Sequence, residues 1–426
     1  MRAQGVGAGG GAAVAARRWE EHGMSGGGWS RRRFVGLLGR TAGVAALPAA
    51  ACGGPSEPDA PAPSGSSAAP GAGTGASGRQ RGSSGPRPLY VGTYTSAEGG
   101  GEGIGLAEYD AGTGRITGRG VLTGVADPSY LTVHPDGRTL YAVSEREDGA
   151  VTAVRLSDRT VLGSRSTGTA APCHLSVHPG GRWLLSAAYG SGSVAVHPVE
   201  ASGAIGERTG LVTHSAPPPG PGQQGPHAHQ VVTAPDGGHV LAVDLGTDTV
   251  YTYRLDDGAG TLTEVARART RPGAGPRHLT FHPGGRHAYL ANELDNTVAV
   301  CGYDPDTGRL TVGEAQSTGT GSGTNHPAQF LVTADGAYAF LANRGHNSLT
   351  RYAVEAGGAR LRLLGTVPAG GDFPRQIAFS PDGALLFAAH QRSGTVAVFH
   401  VSGEDGGLRP AGEPFASPVA VCALPL

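Results

Sequence analysis

One turn recurs along this chain, and its spacing limits the folds open to it. The turn is Pro-Asp-Gly or Pro-Gly-Gly between apolar stretches, at Pro135-Asp136-Gly137, Pro179-Gly180-Gly181, Pro235-Asp236-Gly237, Pro283-Gly284-Gly285 and Pro381-Asp382-Gly383. Ala334-Asp335-Gly336 is the same turn with Ala for Pro, and successive turns stand 44 to 56 residues apart. Proline presets φ and glycine accepts positive φ, so each is hairpin chemistry. The repeating unit reads as an apolar strand, the turn, a second strand, a polar turn and a third strand. That period with that punctuation predicts an all-β propeller. Helical periodicity is absent.

Six turns leave a seventh unit divided between the ends of the repeat region. Leu89-Tyr90-Val91-Gly92-Thr93-Tyr94 matches a second strand such as Leu140-Tyr141-Ala142-Val143-Ser144-Glu145. Pro418-Val419-Ala420-Val421-Cys422-Ala423 matches a first strand such as Pro128-Ser129-Tyr130-Leu131-Thr132-Val133. The expectation is seven blades, closed by pairing of N- and C-terminal strands within one blade, which removes open sheet edges.

Residues 1–52 read as an export signal, 53–87 as a linker and 88–426 as the propeller. Ser30-Arg31-Arg32-Arg33-Phe34-Val35 resembles a twin-arginine signal, and a short apolar stretch interrupted by Arg40 follows. Cys52 follows Leu47-Pro48-Ala49-Ala50-Ala51, with Ala49 where a lipoprotein signal usually has Leu. Two readings stand: Cys52 carries lipid and tethers the protein to a membrane, or cleavage follows an Ala and Cys52 is incidental. Either Met1 or Met24 can be the start. The segment 53–87 is rich in Pro, Gly, Ser and Ala and holds too little apolar surface to fold. Export by the twin-arginine route would leave the protein extracellular or anchored to the outer face of the cell membrane.

A formal net charge of −1 argues against an electrostatic nucleic-acid binder. Cys52, Cys173, Cys301 and Cys422 form no C-x-x-C pair, so neither zinc nor redox chemistry is indicated. No pairing among them is expected, and Cys173 and Cys422 read as small core residues on innermost strands. A monomer is expected.

Registering the units on the turn proline locates a site. Six positions before it stand Ser129, Cys173, His229, Arg277, Ala328, Arg375 and Val419. Ten positions after it stand Glu145, Tyr189, Leu245, Glu293, Arg344, Gln391 and Tyr94. The first strand of a blade lines the axis, and the second returns antiparallel, so both columns meet at one mouth. His227 precedes His229 by two and shares its side of a strand. Any one such residue alone is more often a solvated or mutually satisfied surface group. Together, His229, Arg277, Glu293, Arg344 and Arg375 make an acid–base and anion-binding constellation. Asp244 and Asp248 read as turn-forming residues. The Pro-Gly-rich insert 217–225 reads as a surface loop rather than a lid.

Several segments resemble the lactonase family of seven-bladed propellers, which includes 6-phosphogluconolactonases and fungal carboxymuconate lactonizing enzymes. The carriers are Val91-Gly92-Thr93-Tyr94-Thr95, Pro226-His227-Ala228-His229, Asp244-Leu245-Gly246-Thr247-Asp248, Gly275-Pro276-Arg277-His278, Asn292-Glu293-Leu294 and Asn343-Arg344-Gly345-His346. The resemblance covers roughly residues 88–426. It implies a carboxylic ester (lactone) hydrolase needing no cofactor and no metal. On that resemblance His229, Arg277 and Glu293 would be catalytic with Arg344 a further partner; with the columns' His227 and Arg375, Arg344 would bind substrate. His227 and His229 could be two metal ligands, but no third is evident in the sequence. The implied substrate is a small lactone or anionic sugar. Export is in tension with a phosphorylated cytosolic metabolite and favours another sugar lactone. Two alternatives remain: a non-catalytic binding module for an anionic sugar, peptide or wall fragment, and a lactonizing or isomerising enzyme using the same residues.

Overall fold

The computed structural model describes residues 85–426, apart from 218, 221 and 222. The expected export signal, Cys52 and most of the linker lie outside the described residues. Seven antiparallel sheets are arranged as blades. Blades 1 to 6 span residues 131–166, 172–213, 228–269, 276–317, 326–368 and 374–416. Blade 7 joins strand Ala420–Pro425 to Pro86–Thr93, Gly103–Asp110 and Ile116–Thr123. Each innermost strand packs against its neighbour, and the ring closes between blades 7 and 1.

The expected closure is present as an antiparallel ladder from Leu89↔Pro425 to Thr93↔Ala420. The Leu426 amide extends it to the Pro88 carbonyl at 2.9 Å. Gly92 sits in this seam because nothing larger fits: a Cβ there would meet the Pro128 carbonyl oxygen at 2.3 Å. Pro86 and Arg87, expected at the end of the linker, are the first residues of their strand and pair with Asp110 and Tyr109.

The unit differs from the sequence expectation in one respect. Each blade has a fourth, outermost strand, divided in blade 6 between Leu408–Pro410 and Phe415–Ala416. The reason lies in a burial gradient. Second strands such as Thr139–Ser144 and Leu385–His390 are buried along their whole length, because neighbouring blades cover both faces. They therefore read as continuous apolar runs. Fourth strands such as Thr261–Arg269 are largely exposed and carry charged and polar residues without an apolar signature. A full burial stabilises by roughly 1.5–3 kcal/mol per large apolar side chain, so stability concentrates in the inner strands. Tyr289, Phe330, Tyr352, Phe340 and Phe387 fill the spaces between blades. Among the described residues helix is limited to one 3-10 turn, Ala356–Gly358.

Candidate active site

The two columns meet at one end of the ring, as their spacing implies. The backbone amides of Glu145, Tyr189, Leu245, Glu293 and Gln391 donate to the carbonyls of Asp127, Ala171, His227, Gly275 and Phe373, at 2.7 to 3.1 Å. His326 pairs with Arg344 in the equivalent register of blade 5. The end of each second strand is thus tied to the chain just ahead of the first strand.

A device absent from the sequence argument aims the first column. In blades 2, 3, 4 and 6 the ladder skips one residue between Pro172/His174, Ala228/Gln230, Pro276/His278 and Pro374/Gln376. The skipped residues are Cys173, His229, Arg277 and Arg375. In blade 5 the irregularity spans Pro327/Phe330 and includes Ala328. A β-bulge frees a residue from its pair and redirects its side chain. Gly275, with φ of 62°, turns the chain into the blade 4 bulge, and its carbonyl holds Glu293.

Three side chains from blades 4 and 5 converge. Arg277 Nε lies 2.9 Å from Glu293 Oε2, and Arg344 Nη2 pairs with the same oxygen. The Arg277 contact is an ion pair without hydrogen-bond alignment, because Nε and Nη1 make no hydrogen bond among the described residues. The Arg277 and Arg344 side chains are 2% and 7% exposed, whereas Glu293 keeps 17%, so the carboxylate is the more accessible partner. Arg344 Nε also donates to the His326 carbonyl at 3.2 Å.

Charge states follow from this packing. Burial opposes ionisation of Glu293, but Arg344 and Arg277, with His326 behind them, prevail and hold its carboxyl below its ordinary range. Burial and neighbouring Arg344 draw Arg277 down to about 9, with Glu293 opposing, so it is protonated at neutral pH. His229 is held well below its ordinary value by burial and then by Arg277, His278, Arg375 and Arg344. It is a neutral imidazole whose Nδ1 makes no hydrogen bond among the described residues.

His227 does not share the strand of His229; it precedes that strand, half-buried. Its ring stacks on Tyr189 with centroids 4.2 Å apart, and its Nδ1 donates to the Tyr189 carbonyl at 2.8 Å. The His229 ring meets the same Tyr189 edge-on at 5.9 Å. Arg375 stands with Glu145 rather than Glu293: its Nη2 lies 3.4 Å from Glu145 Oε2. Among the described residues no group of three His, Cys, Asp or Glu side chains is arranged to hold a metal.

Asp244 and Asp248 do more than form their turn. Buried Asp244 Oδ1 accepts the amides of Thr247 and His227, and its Oδ2 pairs with His214 Nδ1 at 2.6 Å. Asp248 accepts the Gly273 and Gly275 amides and Gln223 Nε2. These two carboxylates position the segments that carry His227, His229 and Arg277. Gln223 belongs to the insert and also donates to the Leu245 carbonyl at 2.7 Å, which anchors that part of the loop. Cys173, Cys301 and Cys422 are buried and unpaired.

Sequence reasoning missed a polar layer one residue deeper. Tyr130, His174 and His278 come from blades 1, 2 and 4, yet their rings lie 4.2 to 6.4 Å apart. Such contact between non-adjacent blades requires them to face the axis. Simple alternation turns a residue next to Arg277 away from the funnel, and the bulge brings His278 back. The signal was present as Tyr130, His174, Gln230, His278, Gln329 and Gln376, five positions before the turn.

Comparison with known proteins places the fold in a family. The model of the family "Lactonase, 7-bladed beta-propeller" matches residues 88–425. A 6-phosphogluconolactonase of Bacillus subtilis is 32% identical over 340 residues, covering 78% of this chain and 96% of the relative. An uncharacterised protein of Staphylococcus saprophyticus is 34% identical over 346 residues, covering 78% and 97%. The solved periplasmic gluconolactonase of Pseudomonas aeruginosa superposes with a TM-score of 0.75 at 32% identity, covering 80% of this chain and 99% of that one.

Proposed function

Because this chain belongs to the lactonase family of seven-bladed β-propellers, we propose that it hydrolyses a sugar lactone at the mouth formed by His229, Arg277, Glu293 and Arg344. The observation that carries the reading is one carboxylate shared by two buried guanidiniums, next to a neutral imidazole.

The chemistry follows from the movement of a single negative charge. Water attacks the acyl carbon and gives a proton to Glu293, whose nearest guanidinium contacts both fall on Oε2. A carboxylate held below its ordinary range is a weak base in isolation. Here, however, the tetrahedral oxyanion appears as the carboxylate is neutralised. Arg277 and Arg344 lose one counter-charge and gain another, so little electrostatic energy is forfeited. Collapse of the intermediate breaks the acyl–oxygen bond, and the departing ring oxygen takes the proton from Glu293. Lactone and water become a hydroxy acid, and Glu293 is again ionised. His229 offers the attacking water a hydrogen bond without adding charge. His227 and Tyr189 form the apolar wall beside it. No step in this scheme calls on a metal or cofactor.

The proposed setting is outside the cytoplasm. The twin-arginine pattern at residues 30–35 supports it, as does the similarity to a protein described as periplasmic. Fractionation of cells producing the full chain, with and without Arg31→Lys/Arg32→Lys, tests export. Metabolic lipid labelling of Cys52→Ala tests the tether. Hydrolysis is tested by following acid release from a panel of sugar and phosphosugar lactones. Turnover above the spontaneous rate supports the assignment, and none across the panel refutes it.

A further inference from the structure

A second ionic group stands at the same mouth, built from three consecutive blades. Tyr94 of blade 7 donates through its hydroxyl to Glu145 Oε2 of blade 1 at 2.8 Å. Arg375 of blade 6 approaches the same carboxylate, its Nη2 lying 3.5 Å from Oε1 and 3.4 Å from Oε2. Its guanidinium also lies 5.4 Å from the Tyr94 ring centroid. The Arg375 and Glu145 side chains keep 15% and 13% exposure. Arg375 and the first centre are close enough to influence one another's ionisation.

We propose that Tyr94, Glu145 and Arg375 form a subsite that recognises vicinal hydroxyl groups and selects polyhydroxylated lactones over unsubstituted ones. The proposal rests on the lactonase reading above and assigns the side of the mouth that would hold the rest of the substrate. Three observations carry it.

The first is looseness. A charge-assisted guanidinium–carboxylate contact closes to about 2.7–2.9 Å. The hydrogen-bonded Arg344–Glu293 pair is closed, whereas the Arg375–Glu145 contacts are long, at 3.4 and 3.5 Å. Acceptor capacity on Glu145 and donor capacity on Arg375 are therefore left over. A carboxylate can accept from two neighbouring hydroxyls while a guanidinium donates to their oxygens.

The second is that the group is not needed to tie the blades. Asp127 already does so: its Oδ1 accepts the Thr95 and Ser96 amides at 2.7 and 2.8 Å, and its carbonyl accepts the Glu145 amide at 3.1 Å. One buried residue thus fixes the backbones that carry Tyr94 and Glu145, which preorganises the two side chains.

The third is charge. Arg277, Arg344 and Glu293 sum to one positive charge, whereas Arg375 and Glu145 cancel. Burial keeps Tyr94 a neutral phenol. Developing negative charge is directed to the first centre, and neutral, hydroxyl-bearing carbon to the second.

The test compares kcat/KM for glucono-δ-lactone with that for δ-valerolactone, which has the same ring without hydroxyls. Glu145→Gln and the milder Tyr94→Phe are each expected to reduce this selectivity ratio, by on the order of tenfold to a hundredfold for Glu145→Gln. A ratio unchanged in both variants, each with a native circular dichroism spectrum, overturns the subsite. Calorimetric titration of D-gluconate into the full protein separates this idea from the lactonase assignment. Should the wild type hydrolyse neither lactone, weaker gluconate binding by Glu145→Gln still supports the subsite while the hydrolase reading falls. Gluconate binding equal to wild type overturns it.

Discussion

The innermost strands carry histidines near both ends, and the two ends use them differently. At the turn end, His178 accepts the Gly180 amide on Nδ1 at 3.2 Å and donates from Nε2 to the Gly237 carbonyl of the next blade at 3.0 Å. His134 reaches Gly181 of its own neighbour in the same way. These rings spend their hydrogen-bonding capacity holding adjacent blades together. At the mouth, about 20 Å away along a six-residue strand, His229 is buried among positive charges with Nδ1 uncommitted. Unspent polar capacity at a buried position costs stability. On the function proposed above, the difference is between a ring that staples blades and one that a bound substrate or water can engage.

The largest effect should come from Glu293→Gln. It is expected to lower kcat/KM for a lactone by on the order of a thousandfold, the range of a lost acid–base group. A loss below about tenfold would remove Glu293 from the mechanism. Arg277→Met sharpens the comparison, because it should separate activity from stability. Turnover should fall by roughly a hundredfold to a thousandfold, as for a lost oxyanion donor. The melting temperature should hold or rise, since Arg344 and Glu293 remain as a balanced pair. A thermal shift assay beside a rate assay settles it, and a large drop in melting temperature would count against the charge argument.

Acid should expose the mouth end first. Burial, then Arg277, lowers His174 to about 3, and His229 and His278 are also held well below their ordinary value. An unfolded histidine titrates near 6.5, so below that pH the unfolded chain binds more protons than the native one. Stability should therefore fall as pH drops below about 6.5, by about 1.4 kcal/mol per pH unit for each such group. The depressed Glu293 works in the same direction lower on the scale, its contribution being lost as pH falls through its folded value. Urea melts from pH 7 to 4 should show a shallower slope in His174→Gln, and an unchanged slope would contradict the account. The smallest effect belongs to the turn end. His178→Ala should cost about 1–2 kcal/mol of stability for two lost hydrogen bonds, with lactone turnover unaltered. Altered turnover would mean the two ends are coupled.

The propeller was legible because its turns are chemically loud and its second strands are apolar on both faces. The fourth strands were silent, since Thr261–Arg269 and its counterparts face solvent and carry no pattern of burial. The columns brought out His229, Arg277, Glu293 and Arg344 because equivalent positions in a repeat share an environment. They could not show which carboxylate each arginine takes: Arg375 goes to Glu145, and Arg277 and Arg344 share Glu293. Nor could they show the bulges, which arise from cross-strand registration and admit His174 and His278 to the axis. His227 was misjudged for the same reason, because counting by twos fails where the ladder begins.

The seam in blade 7 has a consequence for how the molecule is made. A ribosome releases Leu89–Thr93 more than three hundred residues before Ala420–Pro425, its partner. Until then the inner edge of that strand is unpaired while six blades accumulate beside it. An open edge of this kind is a template for pairing with another chain, and contacts between such distant residues form slowly. Closing the ring is thus the last step in forming the propeller and the step most open to competition from aggregation. With the Leu426 amide itself bonded into the seam, loss of even the final strand should leave six well-formed blades and a protein that fails as an assembly.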